Sequence, residues 1–171
     1  RFLLRIEDID SARSRPEFED AIFEDLAWLG LSWETPVRRQ SEHLDVYQQA
    51  LETLSARSLI YPCFCSRREI RAEIAQAGAA PHGPGGALYP GTCRALSEEI
   101  RDQRIAAGDA YALRLDVARA GTEAGPLIWR EQGRGDIAGD AASYGDVVLA
   151  RKETPASYHL AVTLDDHLQG I

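Results

Sequence analysis

The first third of the chain combines a short apolar run with two helical patterns. Residues 2–6 form a compact apolar run that predicts a short buried strand. Apolar side chains then recur at helical spacing over residues 18–29, and Gly30 stands where such a helix ends. A second helix is predicted over about residues 41–57, with its apolar side chains on one face. This order of strand, helix and helix is typical of an α/β protein.

Two capping boxes predict helix starts. Ser14 and Glu17 have the required spacing, and so do Ser66 and Glu69. In each box the serine side chain is expected to accept a hydrogen bond from the backbone amide three residues later. A shorter helix is predicted to begin at Ser97 and to end near Gly108.

The rest of the chain is predicted to consist mainly of strands and loops. Alternating apolar residues over 110–117 predict a half-buried strand. Glycines and prolines predict loops at residues 81–86 and 121–125. Short apolar runs predict further strands, over residues 61–65, 127–130, 146–151 and 157–164.

Composition excludes several classes of protein. The chain has 171 residues, a formal net charge of −8 and 44% hydrophobic residues, which excludes wholesale disorder. No apolar run approaches the roughly 18–20 residues of a membrane span, so no membrane association is expected. The acidic charge argues against a nonspecific nucleic-acid coat, although a local basic patch remains compatible with RNA binding. Because the chain starts at Arg1, lacks Met and shows no secretory signal, we expect a piece of a longer cytoplasmic protein.

Three cysteines give the sharpest chemical signal. On an extended chain Cys63 and Cys65 point the same way, and Cys93 returns after a loop. Three thiolates and one further ligand would make a tetrahedral zinc site. The fourth ligand could be His82 or Tyr89, of which histidine is favoured on general grounds. The alternative is that the three cysteines are small apolar core residues.

Carboxylates follow the first predicted strand. Glu7, Asp8 and Asp10 lie at its carboxyl end, which is the edge where ligands bind in open α/β sheets. There they could hold a substrate ammonium group or a metal. The alternative is that they cap the next helix or pair with Arg5 and Arg13.

A second acidic segment, residues 165–167, follows the last predicted strand. It could form a wall of a site, or it could cap a helix. Tyr158 within that strand is expected to be a core aromatic residue. The chain contains no Gly-rich phosphate loop, no Ser/His/Asp order and no His-Glu-x-x-His motif. This weakens interpretations as a nucleotide hydrolase, a serine hydrolase or a metalloprotease.

Several motifs together resemble the catalytic region of glutamyl-type class I aminoacyl-tRNA synthetases. Residues 4–10 with Arg13 are similar to that family's Arg-Ile-Glu-Asp-Thr-Asp-x-x-Arg signature. Residues 145–149, 156–161 and 165–167 resemble its later strands, in the family's order. The resemblance spans nearly the whole chain and is therefore more specific than any single motif.

The resemblance implies an α/β fold made of an incomplete Rossmann-like nucleotide-binding domain with a small zinc-bearing insert. The first part of the catalytic domain would cover residues 1–60 and the insert residues 61–115. Residues 116–171 would supply the remaining catalytic-domain strands, with the carboxyl-terminal part of the domain missing.

Within this family the cysteine pattern is most similar to that of short paralogues that attach glutamate to queuosine in tRNA(Asp). Their zinc pattern is Cys-x-Cys followed by Tyr-x-x-x-Cys, which Cys63, Cys65, Tyr89 and Cys93 match. The resemblance therefore implies Tyr89, rather than histidine, as the fourth ligand of a structural Zn²⁺. Val162 also fits, because glutamyl-tRNA synthetases often carry Asn at that position.

The resemblance further implies roles for two residues and a set of substrates. Glu7 matches the family's acidic residue that binds the amino group of glutamate, and Tyr158 matches a tyrosine of the same pocket. ATP with Mg²⁺ and queuosine-bearing tRNA(Asp) would be the other substrates of a monomeric enzyme. No side chain of this chain need be a catalytic nucleophile or general base.

The same resemblance implies that the chain is inactive alone. The family's ATP-binding motif is expected before Arg1, and its Lys-Met-Ser-Lys-Ser-like loop and a glutamate-binding arginine after Ile171. One alternative is a conventional glutamyl-tRNA synthetase that charges tRNA(Glu). Another, of a different class, is a non-catalytic, zinc-stabilised RNA-binding module.

Overall fold

The computed structural model describes residues 2–10, 13–76, 82–83, 86–151 and 154–171. Contacts divide the chain into two compact units. One, called here the two-segment unit, comprises Arg1–Ala50 and Glu153–Ile171. The other, called the central unit, comprises Leu51–Lys152.

The described residues form nine short strands and six α-helices. In chain order these are β1 (Arg5–Ile6), α1 (Pro16–Trp28), β2 (Arg38–Arg39), α2 (Leu44–Ala56), β3 (Ile60–Cys63), α3 (Arg67–Gln76), β4 (His82–Gly83), β5 (Gly86–Ala87), α4 (Glu98–Ala106), β6 (Ala112–Leu115), α5 (Val117–Ala124), β7 (Leu127–Glu131), β8 (Gly135–Gly139), β9 (Val148–Arg151) and α6 (Tyr158–Gln169). Among these described helices, none has both the length and the hydropathy needed to cross a bilayer.

The two-segment unit contains a parallel strand pair. Arg5 of β1 lies opposite Arg38 of β2, and the connection between the strands carries α1. A parallel pair joined by a helical crossover is the repeating element of α/β folds. The segment after β1 therefore leaves the sheet at the edge where such folds bind ligands.

The central unit is built on an antiparallel sheet of three strands in the order β3–β6–β9. Tyr61 of β3 lies opposite Arg114 of β6, and a register irregularity follows between Leu113 and Arg114 where β6 pairs with β9. Two antiparallel pairs, β4–β5 and β7–β8, complete the described strands of this unit. Buried side chains of the sheet include Tyr61, Cys63 and Leu149.

Several predicted elements are confirmed. Helix α1 ends just before Gly30, which has a left-handed φ of 73°. The second capping box forms, because Ser66 N–H donates to Glu69 Oε2 at 2.7 Å and Glu69 N–H donates to Ser66 Oγ at 3.2 Å. Ser97 caps α4 by accepting a hydrogen bond from Ile100 N–H at 3.3 Å.

Other local predictions are wrong or incomplete. The first capping box does not form, because the cap of α1 is Arg15 and no side chain bonds there. Strand β1 is only two residues long. The loop predicted at 121–125 lies largely inside α5, which Asp116 caps by accepting a hydrogen bond from Arg119 N–H. Of the loop predicted at 81–86, residues 82–83 pair with 86–87, and residues 81, 84 and 85 lie outside the described residues.

The largest error concerns the predicted strand at 157–164, which is the helix α6. Ser157 accepts a hydrogen bond from Leu160 N–H at 3.3 Å, and Gly170 ends the helix at a φ of 69°. An apolar run this short fits a buried helix as well as a strand. As a result, residues 165–167 are not a strand end, and Tyr158 lies in the exposed first turn of a helix rather than in a core.

Candidate functional site

Three cysteine sulphurs and one phenol oxygen converge in the central unit. The Sγ atoms of Cys65 and Cys93 are 3.3 Å apart, and the three cysteine sulphurs all lie within 4.8 Å of one another. The Tyr89 Oη atom is 3.4 Å from Cys63 Sγ and 3.6 Å from Cys65 Sγ. The structure thus brings together the four residues that the resemblance indicated as zinc ligands.

Local backbone geometry produces this convergence. Cys63 ends β3, and Cys65 follows two residues later. Gly91 adopts a left-handed φ of 87° and starts the helical turn that carries Cys93. Cys93 N–H then donates to Tyr89 Oη at 2.9 Å, which closes the loop onto the phenol oxygen. A side chain at position 91 would be strained, since that φ favours glycine.

The donor set fits a tetrahedral zinc ion. With Zn–S of about 2.3 Å and Zn–O of about 2.0 Å, the sulphur–oxygen edge of a tetrahedron is about 3.5 Å. The two sulphur–oxygen distances, 3.4 and 3.6 Å, bracket that edge. The distance between Cys65 Sγ and Cys93 Sγ, 3.3 Å, is shorter than the sulphur–sulphur edge of about 3.8 Å, so these two sulphurs would move apart when zinc binds. All three cysteines are free thiols, so no disulfide competes for the sulphurs. Cys63 and Cys93 also belong to a buried apolar cluster with Tyr61, so the alternative of core cysteines shares the same geometry.

Ionisation is uneven within this cluster. Burial raises the pKa of the Cys65 thiol to about 12. Burial also opposes ionisation of Cys93, but hydrogen bonds to its sulphur, led by those with Tyr89 and with Phe64 N–H, outweigh it and lower the pKa of that thiol. Burial, followed by the hydrogen bond with Cys63, raises the pKa of the Tyr89 phenol. A metal bound here would displace protons, so its affinity would rise with pH.

The other ligand candidate, His82, has a described backbone in β4, but its side chain lies outside the described residues.

A buried aspartate stands beside the cysteine cluster and was not anticipated from the sequence. Asp146 accepts hydrogen bonds from Tyr61 Oη at 2.6 Å, from Arg94 Nη1 at 3.0 Å and from Val117 N–H at 3.1 Å. These partners belong to the strand that leads to Cys63, to the turn that carries Cys93 and to the start of α5. The carboxylate therefore fixes the elements that position the sulphurs.

The two-segment unit contains a cavity of about 630 Å³ at the carboxyl end of β1. Its lining combines charged groups, Glu7 and Arg13 among them, with the apolar side chains of Phe18 and Ile22 on α1. This mixture of a few charged groups and apolar walls is usual for a small-molecule site.

The carboxylates after β1 also form ion pairs with Arg5 and Arg13, which is the alternative role considered for them above. Glu7 Oε1 accepts from Arg5 Nη2 at 3.2 Å, and Asp10 pairs with Arg13 at 3.4 Å. Asp8 accepts hydrogen bonds from both the N–H and the hydroxyl of Ser41, at 2.8 and 2.5 Å. Of the three, Glu7 and Asp8 line the cavity.

Tyr158 is not among the residues that line this cavity. It is the first residue of α6 and is 54% exposed, and its ring lies 6.1 Å from that of His159. The structure therefore does not bring Tyr158 and Glu7 together around this cavity.

A second buried aspartate organises the two-segment unit. Asp165 is fully buried and accepts hydrogen bonds from Arg38 Nε at 2.7 Å, Gln40 Nε2 at 3.0 Å and Tyr47 Oη at 2.9 Å. Its neighbour Asp166 faces Arg5 at 2.7 Å. Asp165 is thus neither a strand end nor a cap, but the acceptor that ties α6 to the first 50 residues.

Comparisons with known proteins agree with the sequence motifs. A family model described as the catalytic domain of class I tRNA synthetases (E and Q) matches residues 1–171. A protein of Rhodobacter capsulatus named Glutamyl-Q tRNA(Asp) synthetase is 46% identical over 100% of this chain and 62% of its own length. A Nocardia farcinica protein of the same name is 44% identical, over 100% of this chain and 50% of its own length.

Proteins named as glutamate–tRNA ligases also match. A Hydrogenobaculum protein named Glutamate–tRNA ligase is 37% identical, over 99% of this chain and 35% of its own length. The crystal structure of a glutamate tRNA ligase from Elizabethkingia meningosepticum superposes with a TM-score of 0.73 at 26% identity, over 99% of this chain and 36% of that one. The α/β fold is therefore confirmed. The chain spans less than two thirds of the length of each of these relatives, from 35% to 62%.

Proposed function

Because this chain belongs to the family of class I tRNA synthetase (E and Q) catalytic domains, we propose that its protein activates glutamate with ATP and transfers it to the queuosine base of tRNA(Asp). The observation that carries this proposal is the match of the whole chain, at 46% and 44% identity, to two proteins named Glutamyl-Q tRNA(Asp) synthetase. The convergence of Tyr89 with three cysteines supports it, since that residue set is the pattern of the short paralogues.

The proposed reaction has two steps. The glutamate carboxylate attacks the α-phosphorus of ATP, which forms glutamyl-adenylate and releases pyrophosphate. A hydroxyl of the queuosine base then attacks the acyl carbon, which forms an ester and releases AMP. Mg²⁺ would offset phosphate charge in the first step. The protein contributes mainly by positioning the reactants, so the described residues need supply no nucleophile.

Glu7 is proposed to bind the ammonium group of glutamate. Its side chain is 38% exposed, lines the cavity and lies at the strand end where α/β proteins bind ligands. Arg5 holds the carboxylate from one side, with Nη2 at 3.2 Å and Nε at 3.4 Å from the same oxygen, Oε1. The hydrogen bond to Arg5 fixes the side chain, and an ammonium group would add a charge-assisted bond.

Substitution tests this role. Glu7→Gln keeps the size and removes the charge, and should raise the KM for glutamate about 10- to 100-fold, which corresponds to a charged hydrogen bond of about 1.5–3 kcal/mol. The KM for ATP should change far less. Asp136→Asn is the control, because Asp136 also pairs with an arginine, Arg130 at 3.2 Å, and neither residue lines the cavity. Equal shifts in both KM values would make Glu7 a structural residue.

Tyr158 is proposed, on the family resemblance alone, to contact glutamate in the complete active site. Its exposed position at the first turn of α6 leaves the phenol accessible to a ligand.

Zn²⁺ is proposed to be a structural ion held by Cys63, Cys65, Tyr89 and Cys93. It would stabilise the fold of the central unit and would take no part in either chemical step. Support comes from the match between the sulphur–oxygen distances and a tetrahedral edge, and from the short separations of the three sulphurs.

The acceptor assay decides between two enzymes. Full-length protein with labelled glutamate and ATP should label tRNA(Asp) that carries queuosine, and should label neither tRNA(Asp) that lacks it nor tRNA(Glu). The relatives named Glutamate–tRNA ligase, at 37% and 34% identity, favour the second candidate, a conventional synthetase. Labelling of tRNA(Glu) alone would establish that candidate. Absence of any ATP–pyrophosphate exchange would reject both and leave a non-catalytic RNA-binding module.

A further inference from the structure

Arg114 packs against Tyr89, the residue that supplies the oxygen ligand in the proposed zinc site. Arg114 belongs to the central strand of the three-stranded sheet, and its Cζ atom is 4.0 Å from the centroid of the Tyr89 ring. Its Nη1 donates to the backbone carbonyl of Asp146 at 2.6 Å. The guanidinium is therefore held between a carbonyl on one side and the phenol ring on the other.

Among the residues that the structure describes, no carboxylate forms an ion pair with Arg114. Its Nε is buried and has no hydrogen-bond partner within the described part of the chain. A buried donor without a partner carries a free-energy cost, so the stacking on Tyr89 and the bond to Asp146 must outweigh it. The planar guanidinium suits this arrangement, since it stacks on aromatic faces better than an ammonium group.

The charge of a metal-bound site would strengthen the contact between Arg114 and the Tyr89 ring. Three thiolates on a divalent cation leave a net negative centre, and loss of the phenol proton on metal binding would make the Tyr89 ring richer in electrons than the neutral phenol. A cation over the face of that ring is attracted to both. Groups outside the ligand set that orient ligands in this way commonly tune metal affinity.

We propose that Arg114 is a positioning residue that holds the Tyr89 oxygen in the ligand set of the cysteine cluster. This inference rests on the zinc site of the proposed function. Arg114 acts through Tyr89, so its contribution to metal binding depends on the presence of the phenol oxygen.

The chain offers a matched control. Phe64 lies between Cys63 and Cys65 in sequence, and the Cζ atom of Arg104 is 4.3 Å from the centroid of its ring. The Nε of Arg104 donates to Asp109 Oδ2 at 2.6 Å. Its charge is close to the same cluster, but the ring beneath it offers no ligand atom. Arg104→Gln therefore removes a nearby positive charge without removing a contact to the ring of a ligand.

The test is a double-mutant cycle on full-length protein, with zinc affinity measured by competition with a chromophoric chelator. Arg114→Gln should weaken zinc binding about 10- to 100-fold, the usual effect of losing a residue that orients a ligand. In the Tyr89→Phe background the same substitution should change affinity by less than about twofold, because the two residues act as one unit. Arg104→Gln should change affinity by less than about twofold in either background, since it touches no ligand.

Cobalt(II) in place of zinc supplies a spectroscopic readout. The ligand-field bands of Arg114→Gln should shift toward those of Tyr89→Phe, whereas Arg104→Gln should keep the wild-type bands. If Arg114→Gln does not fold, Arg114→Lys completes the same cycle, because it keeps the charge and loses the planar face.

The possible results distinguish the role of Arg114 from the zinc site on which that role depends. An equal loss of affinity in both Tyr89 backgrounds, or no loss in the wild-type background, would overturn the role of Arg114 while leaving the zinc site in place. Wild-type protein that binds no zinc would overturn the site and this inference together. Neither result would bear on glutamate transfer, which the acceptor assay measures separately.

Discussion

The two compact units use the same buried arrangement in different surroundings. In each, an aspartate accepts hydrogen bonds from a tyrosine hydroxyl and an arginine. The arginine side chain is 16% exposed in the two-segment unit and 42% exposed in the central unit. The sets are Asp165 with Tyr47 and Arg38, and Asp146 with Tyr61 and Arg94.

The difference shows how each unit is stabilised. In the two-segment unit the charge of Asp165 is enclosed together with that of Arg38, so the pair has little access to water. In the central unit Arg94 reaches solvent, and Tyr61, which bonds to the aspartate, packs with Cys63 and Cys93. We therefore expect the two-segment unit to depend on its buried charge pair and the central unit to depend on its metal.

Loss of the metal should have the largest effect, and it should be confined to the central unit. Removal of zinc by chelation, or by Cys65→Ser, should cost the local fold about 10 kcal/mol or more, the usual contribution of a structural zinc. Hydrogen exchange should then show loss of amide protection in residues 51–152. Protection of α1 and α6 should remain.

Elemental analysis and reconstitution complete this test. Purified protein should contain close to one zinc per chain, and stripped protein should regain its protection when zinc is added. Metal-free protein that keeps full protection of residues 51–152 would show that the three cysteines are apolar core residues.

Removal of a buried carboxylate should have the next largest effect, and the loss should be greater in the two-segment unit than in the central unit. Asp165→Asn leaves Arg38 buried without a carboxylate and should lower the free energy of unfolding by about 3–5 kcal/mol. Asp146→Asn should cost about 1–3 kcal/mol, because Arg94 can turn to water. Denaturant unfolding of both variants measures the difference.

A neighbouring carboxylate provides the control. Asp166 also pairs with an arginine but is 41% exposed, so Asp166→Asn should cost no more than about 1 kcal/mol. Equal losses for Asp165→Asn and Asp146→Asn would remove the contrast between the units.

Raising the pH above 10 should cause the smallest loss of stability, through ionisation of the two buried tyrosines. Burial, followed by the hydrogen bond to Asp165, raises the pKa of Tyr47 from 10 to about 12. The fold therefore favours the protonated phenol, and this stabilisation is complete below pH 10 and is lost as the pH rises through about 12. Burial and the bond to Asp146 raise the pKa of Tyr61 as well.

Unfolding measured at several pH values tests this point. Tyr47→Phe and Tyr61→Phe should each reduce the fall in stability above pH 10. Tyr158→Phe is the control, because Tyr158 is exposed and is not buried against an aspartate. A wild-type stability that stays constant between pH 10 and 12 would contradict the buried tyrosine–aspartate bonds.

Local signals predicted part of this structure well. The i, i+2 spacing of Cys63 and Cys65 and the capping box at Ser66 depend on neighbours in sequence, and both form in the structure. The place of Tyr89 among the sulphurs was indicated only by the resemblance, because an isolated tyrosine carries no general signal for metal binding.

Long-range contacts could not be predicted in the same way. Asp165 accepts from Arg38, 127 positions away, and no pattern near either residue marks that pairing. The error over α6 has a related cause, since a short apolar run becomes helix or strand according to what it packs against. Strand β2 is two residues long and exists only through its pairing with β1.

The most direct test of the central claim is the identity of the nucleoside that carries glutamate. Queuosine-bearing tRNA(Asp) is incubated with full-length protein, ATP and labelled glutamate, then digested to nucleosides and analysed by mass spectrometry. We expect label on the queuosine nucleoside and none on the terminal adenosine. Glutamate found on the terminal adenosine, of this or any other tRNA, would contradict it.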